Sequence, residues 1–250
     1  MSGRVLLYSG GMDSVAAWHL LGHPARVYIR IGSVYEDREL GSIADRGLMH
    51  GLTILDAGRW LGHRVDAVGR VPLRNLVFAV TAAAGTGADT VILGATAGET
   101  SPDKSRAFAR LAGAAMSAAE ARRLQLQVPL RGLTKRQVVA RLVTNLGFAN
   151  GEKTLRACPS CYAAHLPLGK AGCGQCTSCL RRWVAMTLNG ITEEYVTPPW
   201  RTVQFKSGRS EWWHYLRRTP VRDWPGVLRL NLELVVAVRR QTLSTQRGRA

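Results

Sequence analysis

Two short stretches carry residues whose types and spacing could do chemistry. The first, Tyr8-Ser9-Gly10-Gly11-Met12-Asp13-Ser14-Val15, follows the apolar run Val5-Leu6-Leu7 and precedes the helical pattern Ala16-Ala17-Trp18-His19-Leu20-Leu21. A small polar loop between a strand and a helix aims backbone N–H groups and a helix N-terminus at an anion. Gly10 and Gly11 lack the Cβ atoms that would hold a phosphate away from the backbone. Ser9 and Ser14 add hydroxyl donors, and Asp13 suits either a metal-bound phosphate or a helix cap. The loop has no Walker A lysine, and it is not a GxSxG nucleophile elbow.

The second stretch holds all five cysteines: Cys158, Cys161, Cys173, Cys176 and Cys179. An odd count in a chain expected to be cytoplasmic argues against a disulfide framework. Cys173-x-x-Cys176-x-x-Cys179, with Gly172 and Gly174 around its first member, lets one turn present three thiolates to a metal. A fourth from Cys161 or Cys158 completes a tetrahedral zinc site, and Cys161 is the preferred partner. An iron–sulfur cluster is the rival, but Leu180-Arg181 stands where ferredoxins continue with Cys-Pro. Four thiolates leave no position for water, so such a zinc is structural.

The elements that must position these residues alternate. Ala25–Ile31, Leu52–Asp56, Thr90–Gly94 and Leu126–Leu130 read as strands by their β-branched content. Helical spacing spans Glu36 to His50, a segment opened by Val71-Pro72 and running to about Ala84, and Asp103 to Ala121. Thr134 is a plausible N-cap for Lys135 to Leu146, which Gly147 ends. Residues 57–72 read as a loop over the site. This alternation predicts an α/β fold, a doubly wound parallel five-stranded sheet, with the first loop at the carboxyl ends of its strands.

Composition bounds the rest. The 250 residues suffice for a full core, and the 46% hydrophobic content is that of an ordinary globular protein. With no long uncharged apolar run and no signal pattern, a cytoplasmic protein without membrane contact is expected. The net charge of +17 suggests a polyanionic partner, but 29 Arg stand against only 5 Lys. Such a bias also arises from coding preference, and several Arg flank the phosphate and substrate loops, so nucleic-acid contact is not favoured.

The Ser-Gly-Gly-x-Asp-Ser loop resembles the PP-loop of the ATP pyrophosphatases, which leave AMP on a substrate. Three further matches are Val71-Pro72-x-Arg74-Asn75-x-x-Phe78, Pro129-Leu130 followed by Lys135, and Ser160-Cys161-Tyr162…Cys173-Gly174-x-Cys176-x-x-Cys179-x-Arg181. Together, over about residues 4 to 185, they resemble the 7-cyano-7-deazaguanine synthases (QueC-type) of the queuosine pathway. The resemblance implies that the carboxylate of 7-carboxy-7-deazaguanine attacks the α-phosphate of ATP, releasing pyrophosphate. Ammonia then displaces AMP to give an amide, and a second adenylation leads to the nitrile. It implies ATP, Mg²⁺ and Zn²⁺ as cofactors. Ser9, Gly10, Gly11, Met12, Asp13 and Ser14 would hold ATP, and Asp13 and Arg74 would be catalytic. Arg74, Asn75, Glu99 and Asp103 would meet the substrate, and Cys161, Cys173, Cys176 and Cys179 the metal.

The chain departs from this family in two places. Gly32-Ser33-Val34-Tyr35-Glu36-Asp37-Arg38-Glu39 stands for its Gly-Gln-Arg-His turn, and Glu99-Thr100-Ser101-Pro102-Asp103-Lys104-Ser105 lacks an aromatic and a cysteine. The second change points to a relaxed pocket or a different acid. Residues 1–190 are expected to form the synthase domain, including a cysteine module at 158–181. Residues 191–250 are expected as a basic extension with Trp200, Trp212, Trp213 and Trp224, its tryptophans packing inward and Leu232–Val238 adding a strand or helix. A homodimer is compatible with this organisation. Two other readings stay open: a PP-loop adenylating enzyme acting on another base or macromolecule, and a zinc-bearing nucleic-acid-binding protein with a vestigial loop.

Overall fold

The computed structural model describes residues 3–33, 35–61, 71, 73–99, 101–161, 163, 166–202 and 232–241. The chain divides into two compact units: Met1–Ala95, Ser101–Arg131 and Ala157–Pro159 form the first, and Thr96–Thr100, Gly132–Arg156 and Ser160–Ala250 form the second.

The first unit is built on an all-parallel sheet of five strands: β1 (Arg4–Leu7), β2 (Ala25–Arg30), β3 (Leu52–Asp56), β4 (Thr90–Ile92) and β5 (Gln125–Gln127). Their order is β3-β2-β1-β4-β5. The chain therefore winds one way from β1 to β3 and then returns to the other side of β1, which makes the end of β1 the switch point where ligands bind in such sheets. Val5, Leu6 and Leu7 are all buried, as a central strand covered on both faces requires.

Helices α1 (Met12–Leu20), α2 (Glu36–Asp45), α3 (Gly58–Leu61), α4 (Arg74–Thr86) and α5 (Arg106–Glu120) belong to this unit. Val5, Leu7, Val27 and Ile29 share a core with Ala79, Ala82 and Ala83 of α4 and with Ala109, Ala112 and Met116 of α5. Side chains alternate along a strand, so Arg26 and Tyr28 face the other way. There the Arg26 guanidinium lies 4.7 Å from the Trp18 ring of α1, and the Tyr28 hydroxyl donates to Glu39 of α2 at 2.7 Å.

The expected parallel five-stranded sheet is present, with shifted boundaries that have local causes. The segment expected to stay helical to His50 ends at Asp45, where Gly47 turns the chain at φ 66°. β4 stops at Ile92 because the backbone of Gly94 passes against α1, and a Cβ there would lie 3.1 Å from the Asp13 carbonyl oxygen. α5 begins three residues later than Asp103. Ser105 caps it by accepting from the Phe108 amide at 3.1 Å, after a 3-10 turn over Pro102–Lys104. β5 ends before Pro129, which opens another 3-10 turn and has no N–H for a ladder.

In the second unit, α6 (Lys135–Leu146) runs over the expected range and starts in a full capping box between Thr134 and Gln137. Val138, Val139 and Leu142 form its buried stripe. α7 (Phe148–Arg156) and α8 (Thr177–Thr187), neither expected from sequence, follow, with α9 (Pro199–Thr202) and helical backbone over 232–241. Leu234 and Ala237 share a core with Cys161, Cys179, Trp183 and Tyr195, and the Trp200 ring packs 5.3 Å from Trp183. Trp212, Trp213 and Trp224 lie outside the described residues. Among the described residues, no helix is long and apolar enough to cross a membrane.

Candidate functional site

β1 delivers the chain straight into the glycine loop. Gly10 takes φ 71°, a conformation that side chains resist, and a Cβ there would sit 2.8 Å from Ile43 Cγ1 and 2.9 Å from Arg46 Nη2. Gly11 is the N-cap of α1 and offers no side-chain cap, so the first-turn amides keep their donors for another acceptor. The Gly11 N–H donates to Ser9 Oγ at 3.4 Å, Ser9 Oγ lies 3.4 Å from Ser14 Oγ, and the Ser14 hydroxyl donates to the Gly11 carbonyl at 3.0 Å. Two hydroxyls and a backbone N–H thus converge beside a helix N-terminus. Met12 is buried and anchors the helix, while half-buried Asp13 lies in its first turn.

Arg74 and Asn75 open α4, immediately after Leu73 in the left-handed region at φ 58°. Asn75 is buried and donates through Nδ2 to the Asp103 carboxylate at 2.8 Å, so two residues expected to meet the substrate are joined directly. The Ser101 hydroxyl also donates to Asp103. Sequence reasoning missed Glu39, which receives the Tyr28 hydroxyl and feels the charges of Arg74 and Arg38. Desolvation nevertheless raises its carboxyl above the ordinary range. Tyr28, buried beside Glu39, is pushed far above the usual phenol value, so its hydroxyl keeps its proton and remains a donor.

Glu99 is buried in the second unit, where the Arg181 guanidinium donates to the carbonyl of neighbouring Gly98 at 3.0 Å. Thr100, Pro72 and Tyr162 lie outside the described residues. The sulfurs of Cys161, Cys173, Cys176 and Cys179 all fall within 4.8 Å of one another. Tetrahedral Zn–S bonds place sulfurs about 3.8 Å apart. The separations of 3.9 Å for Cys173–Cys179 and 3.4 Å for Cys176–Cys179 are close to that value.

Backbone amides supply the surrounding polarity. Ala163 and Cys173 donate to the Cys161 sulfur, Gln175 to Cys173 and Cys179 to Cys176, at 3.3 to 3.4 Å. A methyl group at Gly172 would collide with the Cys179 sulfur, and one at Gly174 would run into the Thr197 carbonyl. The hydrogen bond with Cys176 and burial hold the Cys179 thiol far above its ordinary value, and burial raises Cys173 as well. Thiolates this crowded need a cation to become charged together, which is the behaviour of a metal site. This four-cysteine group could therefore hold a metal such as zinc. Cys158 stands apart, buried in the first unit with its sulfur 3.7 Å from Arg46 Nη1.

Beneath the cysteines, Arg182 is almost fully buried. Its guanidinium donates to both carboxylate oxygens of Glu193 at 2.6 and 2.8 Å, to Ser160 Oγ at 3.0 Å and to the Leu155 carbonyl at 2.7 Å. The Tyr195 hydroxyl completes the cage by donating to Glu193 at 2.9 Å. These partners lie 11 to 27 residues from Arg182, and no local spacing announced them.

A parallel α/β sheet wound this way, with a glycine loop after its first strand, is an architecture that several classes of nucleotide-binding protein share, the PP-loop class among them. The family model described as Queuosine biosynthesis protein QueC matches residues 40–190, and the chain belongs to that family. Membership makes queuosine-type biosynthesis its setting and ATP its energy source. No curated protein matches the chain. The matched span contains Arg74, Asn75, Glu99, Asp103 and the four-cysteine group, whereas the glycine loop precedes it.

Proposed function

We propose that the protein converts 7-carboxy-7-deazaguanine and ammonia to 7-cyano-7-deazaguanine at the expense of two ATP, each cleaved to AMP and pyrophosphate. The observation that carries this reading is the convergence of the Gly11 N–H and the Ser9 and Ser14 hydroxyls at the sheet's switch point, in a chain of the QueC family. Exchanging the internal bonds of this loop for bonds to phosphate oxygens would stabilise charge as it develops on the departing pyrophosphate. Mg-ATP is the nucleotide substrate, and we assign to Asp13, half-buried in the first turn of α1, the role of meeting its metal.

The substrate carboxylate attacks the α-phosphate, and pyrophosphate leaves carrying the bonding pair. Ammonia attacks the resulting acyl-adenylate, loses a proton and expels AMP, leaving the primary amide. The amide oxygen then attacks the second α-phosphate, and loss of AMP with the nitrogen protons leaves the nitrile. Arg74 supplies positive charge near the reacting phosphate, and Asn75 and Asp103 form one hydrogen-bonded surface for the base. Cys161, Cys173, Cys176 and Cys179 would hold zinc, which closes the fold of its module and takes no part in the chemistry. We place the enzyme in the cytoplasm and treat residues 191–250 as a basic extension of a synthase spanning 1–190, in a protein compatible with a homodimer.

The altered stretch 99–105 favours one second reading, adenylation of a different small acid. Purified protein, Mg-ATP, ammonium and 7-carboxy-7-deazaguanine, followed by mass spectrometry for AMP and the nitrile, separates the two. Nitrile with AMP is expected. AMP without nitrile points to the other acid, and no AMP overturns both.

A further inference from the structure

Arg46 lies outside the loop, at the C-terminal end of α2, and is half-buried. Its guanidinium is spread over three partners in the first unit. Nε donates to the Ser42 carbonyl at 2.8 Å, Nη2 donates to the Gly10 carbonyl at 3.0 Å, and Nη1 lies 3.7 Å from the Cys158 sulfur. The first bond fixes the fork on its own helix, and the second reaches 36 residues back to the loop.

A trans peptide is planar, with its carbonyl and the following N–H pointing in opposite directions. Turning the Gly10 carbonyl toward Arg46 therefore turns the Gly11 N–H away from it, to the side where Ser9 Oγ and Ser14 Oγ lie. We propose that Arg46 is the positioning residue of this loop, holding the Gly10–Gly11 peptide plane so that the Gly11 N–H stays in the phosphate cradle. The inference rests on the reading of this loop as the site of the ATP phosphates.

Two features sharpen the assignment. The Gly10–Gly11 peptide turns over through ψ of Gly10 and φ of Gly11, both freer in glycine. Inside the loop the Gly11 N–H is held by a long 3.4 Å bond to Ser9 Oγ, so the shorter bond from Arg46 is the firmer hold on the plane. A lysine would carry the same charge, but it lacks the planar fork that lets one guanidinium hold the Ser42 and Gly10 carbonyls together. Ser42 also donates through its hydroxyl to the Ala157 carbonyl at 2.9 Å, so α2 is tied to the segment 157–159 independently of Arg46.

The test is calorimetric binding of pyrophosphate and of Mg-ATP to the full metal-loaded chain and to Arg46→Lys, Arg46→Ala and Cys158→Ala. Removing a charged donor from an oriented carbonyl should weaken both ligands about tenfold or more in the two Arg46 variants. Cys158→Ala should bind like the wild type. Added guanidinium ion should restore Arg46→Ala while leaving the wild type unchanged, and KM for ATP should rise without a change in KM for the carboxylate. Wild-type affinity in both Arg46 variants would overturn the proposal. Full affinity in Arg46→Lys alone would reduce the role to charge and overturn the peptide-plane assignment. Loss of thermal stability in step with affinity, without guanidinium rescue, would make Arg46 a folding residue. If the wild type binds neither ligand, the phosphate reading of the loop itself falls.

Discussion

At the scale of single residues, buried charge decides the behaviour of two positions. Arg182 and Glu193 form an ion pair whose side chains are 1% and 2% exposed. Removing one member leaves the other charged and dry, which costs about 3–5 kcal/mol, whereas an apolar pair of similar volume is far milder. Urea denaturation of Arg182→Met should therefore show a large loss, and the double variant Arg182→Met/Glu193→Leu should recover much of it.

Glu39 behaves differently, because desolvation raises its carboxyl in the folded protein. The folded state then holds the proton more tightly than the unfolded chain does. That contribution to stability is complete below the ordinary value of 4.5 and is lost as pH rises through the raised value. Glu39→Gln should remove this dependence, so its stability relative to wild type should increase from pH 4 toward pH 7 in parallel denaturation curves. A constant difference would mean that Tyr28, Arg74 and Arg38 cancel desolvation, and a difference that falls with pH would mean that they outweigh it.

At the scale of elements, the starts of α6 and α8 each use one side chain twice. Thr134 Oγ1 accepts from the Gln137 amide and donates to Glu233 at 2.7 Å, joining the helical segment 232–241 to α6. Thr134→Ala should cost about 1–2 kcal/mol by the same denaturation assay, and Thr134→Ser much less. Cys176 caps α8 by accepting from the Cys179 amide while belonging to the metal group. Serine is a strong cap and a poor zinc ligand. Cys176→Ser should consequently keep the helix start yet lose metal by atomic emission analysis, whereas Cys158→Ser should retain it. Metal loss in Cys158→Ser would show that the fifth cysteine is a ligand.

At the scale of the molecule, a metal that binds the folded chain better than the unfolded one stabilises it by mass action. A chelator should lower the melting temperature, zinc should restore it, and magnesium should not. What was legible from sequence follows distance along the chain. The Thr134 cap, the strand pattern and the glycine loop are written within a few residues, so their local chemistry is visible. α8 was hidden because its first turn lies within the cysteine run, whose spacing masks the helical period of the apolar residues Trp183, Val184 and Met186. Arg181 reaching the Gly98 carbonyl across 83 residues, and Arg46 reaching Gly10 across 36, belong to tertiary structure alone.

The threading of the chain through its two units bears on how the protein is made. The sheet's last strand, β5, ends at Gln127, but Ala157–Pro159, whose Ala157 carbonyl receives the Ser42 hydroxyl, is synthesised only after α6 and α7. The second unit waits longer, because Leu234 and Ala237 in its core follow more than fifty residues after Cys179. During translation the cysteines therefore leave the ribosome before their apolar surroundings exist, and a nascent chain spends that interval with its thiols open to the cell's metal and redox buffers.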